Sequence, residues 1–356
     1  MLREVCAAPC EPAPSLTDEE LRHAAAARSS RGRPSAGAWG AFKLAVARWF
    51  DSGAGTAADD GAAERRVDWV RNVPFMAMHA ACLGVVWVGW SPVAMMTAGA
   101  LYLLRMLAIT GFYHRYFSHR AFRTSRPVQF AFAVLGASAA QRGPLWWAAH
   151  HRHHHAHADR PGDPHSPRRD GFLWSHMGWF MSPAYFATNL RRVPDLARFP
   201  ELWLLDRFDG VVPVLLGAAL FGAGEWLASA APALETDGMQ MLVWGFLVST
   251  VAVYHATYTI NSLAHRFGRR RYATRDDSRN NFALALLTLG EGWHNNHHHY
   301  PGAARQGFRR WEIDVTWYFL CLLRALGLIW DLRTAPAHVL NSRRLAGPFD
   351  GSPGQS

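Results

Sequence analysis

The sequence has few cysteines, an excess of basic over acidic residues, and no glycine-rich phosphate loop or internal repeat. Its cysteines, Cys6, Cys10, Cys82 and Cys321, have neither metal-site nor disulfide spacing, and reduced thiols fit a protein that faces the cytosol. The 27 acidic residues are outnumbered by 37 Lys and Arg, which gives a net charge of +10. These features argue against a disulfide framework, a P-loop enzyme and a solenoid.

The positive charge has two interpretations, nucleic-acid binding or a cytosolic face beside anionic lipid. The arginines lie next to long apolar stretches, and the chain has 16 Trp and 20 Phe, which favours a membrane protein with interfacial aromatic residues. The mean hydropathy of only -0.08 then indicates apolar spans that alternate with Arg- and His-rich soluble segments. We therefore predict an all-α, multi-pass integral membrane protein in the lipid bilayer that binds no nucleic acid.

Four apolar stretches have the roughly 17 to 25 residues needed to cross a bilayer, and they lie at about residues 73–90, 93–113, 211–227 and 241–260. Arginines flank the first, second and fourth spans on one side, whereas the loop at 231–237 has no Lys or Arg. This pattern predicts that the N- and C-termini are both cytoplasmic. Arg105 interrupts the second span, and we expect it either to be functional, or to extend its long side chain to the nearer interface or pair inside the protein.

The remaining segments complete the predicted organisation. Residues 1–68 lack an apolar signal-peptide core and are predicted to be a disordered cytosolic tail, 69–335 to be the membrane domain, and 336–356 to be a flexible C-terminal tail. The apolar stretch 128–140 is too short to span, so we expect an interfacial helix. Residues 315–330 are predicted to pack on a cytosolic helical cap instead of forming a fifth span.

Three histidine clusters each follow an apolar element. They are His114-x4-His119, the tract from His150 to His157, and His294-x2-His297-His298. Residues three and four apart share a helical face, so the third cluster can direct its imidazoles to one point. The central tract fits this spacing in two registers, His150/His153/His154 or His151/His154/His155. The lone histidines His79, His255 and His338 are expected to be satisfied core residues.

Eight imidazoles in three clusters exceed the six positions of an octahedral ion. A catalytic zinc needs only three protein ligands, so at least two metal ions are predicted. Imidazole suits iron, zinc, copper and nickel, and the spacing alone does not choose among them.

These residues are similar to those of the membrane-bound fatty acid desaturases, and most closely resemble the acyl-CoA delta-9 (stearoyl-CoA type) branch. The stretches that carry the resemblance lie within about residues 70–335: H114-R-Y-F-S-H-R120, H151-R-H-H-H155, D163-P-H165, S175-H-M-G-W179, N261-S-L-A-H265 and G290-E-G-W-H-N-N-H-H298.

The resemblance implies four transmembrane helices under a cytosolic helical cap that holds a dinuclear site of two iron ions, with O2 as co-substrate. It selects the second register of the central tract and adds one histidine after the fourth span. The implied ligands are His114, His119, His151, His154, His155, His265, His294, His297 and His298, with Asn261 reaching one metal through a water.

The resemblance also implies an apolar tunnel for the acyl chain, and we expect Trp146, Trp147, Trp179 and Trp293 to line it. Acyl-CoA is the expected carrier. Ala149 and His150 stand where animal acyl-CoA desaturases have Arg and Asp, so acyl-carrier protein and lipid-bound chains stay open. Since no heme-binding H-P-G-G stretch occurs, electrons are expected from a separate donor such as ferredoxin, rubredoxin or cytochrome b5.

The predicted function is therefore an O2-dependent fatty acyl desaturase. Two alternatives remain. The same scaffold could perform hydroxylation or oxidative decarboxylation of a fatty acid, since each begins with removal of one hydrogen. A metal-ion carrier with a His-rich sensor is the other, but it would need polar ligands in mid-membrane, where the spans offer little beyond Arg105, His79 and His255.

Overall fold

The structure is a computed structural model that describes residues 38–54, 65–342 and 344–345. The chain divides into two compact units, 1–43 and 44–356, and the site lies wholly in the second. The α-helices are, in chain order, α1 Ala38–Ala47, α2 Val73–Ala81, α3 Val85–Val88, α4 Pro92–Leu107, α5 Arg126–Ala137, α6 Pro144–His157, α7 Pro167–Asp170, α8 Pro194–Ala197, α9 Pro200–Arg207, α10 Val211–Ala230, α11 Gly238–Gln240, α12 Ser249–Ser262, α13 Phe282–Leu287, α14 His294–His299, α15 Val315–Ala325 and α16 Ala337–Asn341.

Tighter and wider helical turns join these helices. The segments Ala108–Ser118, Trp174–Gly178 and Met241–Val248 are π-helical, and the short 3-10 turns are Cys82–Gly84, Pro183–Tyr185, Leu190–Arg192 and Pro232–Leu234. Strands β1 Arg123–Thr124 and β2 Ile329–Trp330 pair antiparallel, with Arg123 opposite Trp330. The fold is therefore predominantly helical.

In the described part of the chain, three helices are long and apolar enough to cross a membrane: Pro92–Ser118, Val211–Ala230 and Gly238–Ser262. Two of them begin at capping residues: the Ser91 hydroxyl accepts from the Ala94 amide at 3.1 Å, and Asp237 forms a capping box with Gln240. The first predicted span is helical only over Val73–Val88, is broken by a 3-10 turn, and is shorter than the other three.

Arg105 is buried between α4 and α12. Its guanidinium donates to the hydroxyls of Ser249 and Thr250 and to the carbonyl of Leu101, and it is fully shielded from solvent. The arginine therefore ties two membrane helices together, and these hydroxyl and carbonyl partners fit the expectation that it finds its partners within the protein.

Helix α5 packs against the π-helical end of the second span. The rings of Phe112 and Phe132 stack with centroids 3.7 Å apart, and this contact joins a core that continues through Leu145 to Leu320 on α15. Helix α15 packs against the π-helical segment through Thr316, whose hydroxyl bonds that of Thr110 at 2.8 Å. The core thus fixes the membrane exit of the second span, which carries the first histidines.

Parts of both predicted tails have regular structure. Helix α1 lies within 1–68, and Ser52 donates its hydroxyl to the carbonyl of Asp206 at 2.8 Å. Helix α16 lies within 336–356, where the carbonyl of Leu340 accepts from the Tyr272 hydroxyl. The other residues assigned to the tails, 1–37, 55–64, 343 and 346–356, lie outside the described residues.

Candidate metal centre

Five histidines from three parts of the chain direct one ring nitrogen each to a common point. These nitrogens all lie within 4.8 Å of one another, and the group comprises His114, His119, His151, His155 and His297. The Nε2 atoms of His114 and His297 are 3.1 Å apart, those of His155 and His297 2.9 Å, and those of His119 and His151 2.8 Å.

A second group of four lies beside the first and comprises His154, His265, His294 and His298. The Nε2 atoms of His265 and His294 are 3.0 Å apart. The rings of His154 and His155, one in each group, have centroids 5.5 Å apart. All nine histidines predicted as ligands are thus brought together, in two adjoining groups of five and four.

The ring nitrogens fit metal ions better than they fit one another. Two ligands at right angles around an ion, each about 2.1 Å from it, are about 3 Å apart, which matches the observed separations. In addition, Nε2 of His298 is buried and has no hydrogen-bond partner among the described residues, although its Nδ1 is paired. Buried polar atoms are rarely left unpaired, so this nitrogen is suited to a metal.

The π-helical end of the second span explains the first cluster. A spacing of five residues between His114 and His119 is a poor fit to one face of an α-helix. In a π-helix the repeat is i to i+5, and the His119 amide bonds the His114 carbonyl at 3.2 Å in this pattern. The widened turns therefore bring both imidazoles to the same side.

Helix α6 provides the second cluster in the register His151, His154, His155. His150 and His153 lie outside both groups: the ring of His150 packs on Trp146 with centroids 4.6 Å apart, and His153 packs on His157 at 4.3 Å. The periodicity of one α-helix allows only one of the two registers to face the site.

Carboxylates hold the outer nitrogens of four of these histidines. Asp163 bonds Nδ1 of His154 at 3.0 Å, Asp159 that of His265 at 2.8 Å, and Asp276 that of His298 at 2.9 Å. In the five-histidine group, Glu291 contacts Nδ1 of His114 at 2.5 Å. Such contacts fix the tautomer, so that Nε2 presents a lone pair to a metal.

Burial and charge favour the protonation states that bind metal. Burial lowers the pKa of His119, His151, His155, His294 and His297 well below its usual range, which keeps these imidazoles neutral. Burial opposes ionisation of the carboxylates as well, but the facing imidazoles hold the pKa of Asp159, Asp163 and Asp276 well below normal. The supporting groups are therefore anionic at neutral pH.

Glu291 is itself fixed by a buried arginine. Arg115 is 1% exposed and pairs with Glu291 at 3.2 Å and with Asp314 at 2.9 Å. Its guanidinium also donates to the carbonyl of Ala304. This pairing orients Glu291 towards His114.

Sequence reasoning missed these carboxylates. Glu291 and Asp163 lie inside the quoted histidine stretches and could have been found there, since a metal-ligating imidazole needs a partner for its other nitrogen. Asp159 and Asp276 carried no such signal, because their separation from His265 and His298 in sequence says nothing about contact.

A cavity of about 790 Å³ extends to the five-histidine group. Trp146, Trp147 and Trp179 line it together with His151 and Asn261, and Trp147 stacks on the ring of His151 at 5.0 Å. Asn261 also lines a smaller cavity that reaches His154 and His294. Trp293, which was expected in this wall, lies elsewhere: its indole donates to the Ile313 carbonyl at 2.7 Å and packs edge-on against Trp311.

Three further histidines form a chain outside the two groups. The Nε2 atoms of His79 and His255 are 3.1 Å apart, and Nδ1 of His255 is 3.0 Å from Nε2 of His176. Nδ1 of His176 contacts the Ser262 hydroxyl at 2.9 Å. The expectation that His79 and His255 are satisfied by neighbours agrees with these contacts, and this row of histidines links α2 to α12. His338, which was also expected in the core, is exposed on α16.

Comparison with known proteins agrees with this site. Residues 86–319 match the model of the fatty acid desaturase family. The chain is 35% identical over 274 residues to an sn-1 stearoyl-lipid 9-desaturase of Anabaena variabilis, which covers 76% of this chain and 95% of the relative. It is 35% identical to an sn-2 palmitoyl-lipid 9-desaturase of Nostoc sp. (strain 36), over 75% of this chain and 91% of the relative.

An acyl-CoA 5-desaturase of Anemone leveillei is 37% identical over 261 residues, 72% of this chain and 76% of the relative. The chain therefore belongs to the fatty acid desaturase family. It is a membrane oxidoreductase that desaturates fatty acyl chains, and its histidine groups can hold metal.

Proposed function

We propose that this protein uses O2 and two iron ions, one in each histidine group, to desaturate an acyl chain in the large cavity. The observation that carries the proposal is the convergence of nine imidazoles, in groups of five and four, at a cavity with tryptophan walls. In the four-histidine group, Asn261 would complete the coordination of the ion through a bridging water. When bound, the iron pair would activate O2, which supplies the oxidising power to remove one hydrogen from each of two adjacent, unactivated methylenes.

The residues of this chain have defined tasks in that reaction. The carboxylates behind the imidazoles hold the Nε2 lone pairs in position, and the tryptophans shape the slot and exclude water from the reacting carbons. Neutral imidazole donors suit iron among other metals, and membership in the family makes iron the proposed metal.

We further propose that the carrier is a membrane lipid. The acyl-CoA branch was the expectation from sequence, but Ala149 and His150 depart from the animal pattern. The cyanobacterial relatives are named as lipid desaturases, which supports a lipid-bound chain. Val211, Val214 and Leu215 of α10 line the cavity and are about half exposed or more, so the cavity has an edge on the apolar face of a membrane helix.

The proposed topology has four spans with both termini in the cytoplasm and the site in a cytosolic cap. Val73–Val88 would be the fourth span, short by itself but with Trp87 in its last turn and Trp90 just beyond it at the far interface, 80% and 70% exposed. The arginines at the other ends of the spans support this orientation. The domain boundaries at 69 and 335 remain part of this proposal.

Electrons would come from a separate carrier such as ferredoxin, rubredoxin or cytochrome b5. Arginines on the cap could steer an acidic protein to it, and Arg168, whose side chain is 72% exposed, is one of them.

The fatty-acid profile of a host that expresses this chain tests the proposal. A ferredoxin and its reductase are co-expressed, and hydroxy acids and volatile alkenes are measured together with unsaturated acids. We expect a new unsaturated acid with the native chain and with His157→Ala, which lies outside both groups, but not with His297→Ala. A hydroxy acid or alkene as the main product, or full activity in His297→Ala membranes, would overturn it.

A further inference from the structure

Three arginines from separate parts of the chain surround one aromatic ring. The guanidinium carbons of Arg48, Arg71 and Arg142 lie 5.0, 4.3 and 4.3 Å from the ring centre of Phe186. Arg48 follows α1, Arg71 precedes the first apolar helix, and Arg142 precedes α6. We call this group the arginine cluster.

Carboxylates neutralise part of the charge of the arginine cluster. Arg142 pairs with Asp209 at 3.2 Å and also acts on Asp206, and Asp68 acts on both Arg48 and Arg71. Burial lowers the pKa of Arg48 and Arg71, and the charge of Arg142 lowers it further, so the guanidinium groups repel one another. Like charges brought together in a partly dry site repel one another unless an anion joins them.

Arg71 has an unpaired donor. Its Nη2 donates to the carbonyl of Phe180 at 3.1 Å, but its Nη1 is buried and has no hydrogen-bond partner among the described residues. The residue is 6% exposed. Burial, together with the charge of Arg142, lowers the pKa of Arg71 to about 9. A buried guanidinium of this kind is stabilised when an anion accepts from it.

The arginine cluster lies in the wall of the large cavity. Arg48, Arg71 and Arg142 line the same space as His151 and Asn261, and so do the exposed apolar residues at the start of α10. A molecule that carries an anion at the arginines and an acyl chain towards the histidines would therefore occupy one continuous cavity.

We propose that the arginine cluster binds the phosphate of the acyl carrier, and that this carrier is a glycerophospholipid that enters from the bilayer. Guanidinium groups present paired N–H donors that match phosphate oxygens, and the apolar edge on α10 favours entry from the membrane over entry from the cytosol. The inference rests on the proposed function, since it names the head group of that substrate.

The test compares two lipid classes in one membrane. Iron-loaded protein is placed in nanodiscs that contain phosphatidylglycerol and monogalactosyldiacylglycerol with the same saturated chains. Ferredoxin, its reductase and O2 are supplied, and double bonds in each class are counted by mass spectrometry. Arg71→Gln and Arg142→Gln should lose about tenfold or more in relative turnover of the phospholipid, as expected for a lost charge-assisted hydrogen bond. Arg123→Gln, at an exposed ion pair with Asp331, should match the native chain.

A second measurement does not depend on turnover. Native mass spectrometry should detect phosphatidylglycerol retained by the native chain and by Arg71→Lys, and not by Arg71→Gln of equal iron content. Equal use of both lipids by the native chain, or unchanged preference in Arg71→Gln, would overturn the phosphate site while leaving desaturation intact. Turnover of stearoyl-CoA alone, reduced in Arg71→Gln, would overturn the lipid source. Retention of phospholipid without any turnover would support the site and count against the proposed function.

Discussion

The support of the histidines by carboxylates gives a sharp prediction for Asp276. Its Oδ2 bonds Nδ1 of His298 at 2.9 Å, and its Oδ1 accepts from the Ser278 amide at 3.0 Å. In Asp276→Asn only one oxygen remains, so one of these two donors loses its acceptor. The amide group would then face His298 Nδ1, which favours the tautomer that carries its proton on Nε2 and cannot bind metal through that atom.

The expected loss of metal affinity is large because the side chains of Asp276 and His298 are both buried. Removal of such a partner costs about 10- to 100-fold in metal affinity, or about 1.4 to 2.8 kcal/mol. The assay is the metal content per chain after dialysis against graded chelator concentrations. Asp276→Asn should lose one ion of two at a chelator concentration at least tenfold lower than the native chain, because only the four-histidine group contains His298.

The neighbouring residue provides a matched control. Asp277 pairs through its side chain with the exposed Arg168 at 3.1 Å and touches no ligand through its carboxylate. Asp277→Asn should therefore retain both ions at native chelator concentrations. Equal metal loss in the two variants, or none in Asp276→Asn, would refute the idea that this carboxylate orients a ligand.

Three other predictions concern stability and folding. Five of the imidazoles have a folded pKa far below about 6.5, the value in the unfolded chain, so the metal-free protein should be stable above that pH and lose stability as the pH falls below it. Unfolding should take up as many as five protons, which a thermal-shift titration measures. A melting temperature that does not change from pH 7 to pH 5 would contradict this. Arg105→Met should keep the native metal content and activity, because the hydroxyls of Ser249 and Thr250 also bond carbonyls of their own helix; loss of activity with native folding would make Arg105 functional. Gly292→Ala should reduce folded yield and metal content, because a Cβ at this position would lie 2.1 Å from the backbone nitrogen of Ala285. A yield equal to that of the native chain would contradict this prediction.

The sequence predicted which histidines come together better than it predicted the fold around them. The register of the central tract and the role of His265 depended on resemblance, since periodicity alone left two registers and gave His265 no partner. The spacing of His114 and His119 is explained only by the π-helical turns at the end of the second span, and no residue type marks such turns.

The cavity walls and the supporting carboxylates were harder to predict. Trp293 lies beside His294 in sequence, yet its indole bonds the Ile313 carbonyl and so faces away from the cavity. The contact between Asp159 and His265 joins residues 106 apart, and pairs of this separation leave no local pattern. The first apolar helix ends at Val88, where Gly89 has a φ of 66°, and composition alone gives no sign of the 3-10 turn at Cys82–Gly84.

The most direct test of the central claim is Mössbauer spectroscopy with iron analysis on protein reconstituted with enriched iron. Two ions per chain in two unlike nitrogen-rich environments, five imidazoles for one and four with oxygen for the other, should give two distinct quadrupole doublets of equal area. In Asp276→Asn at limiting chelator, one doublet should disappear. A single ion per chain, two equivalent ions, or a chain that retains zinc in preference to iron would contradict the account.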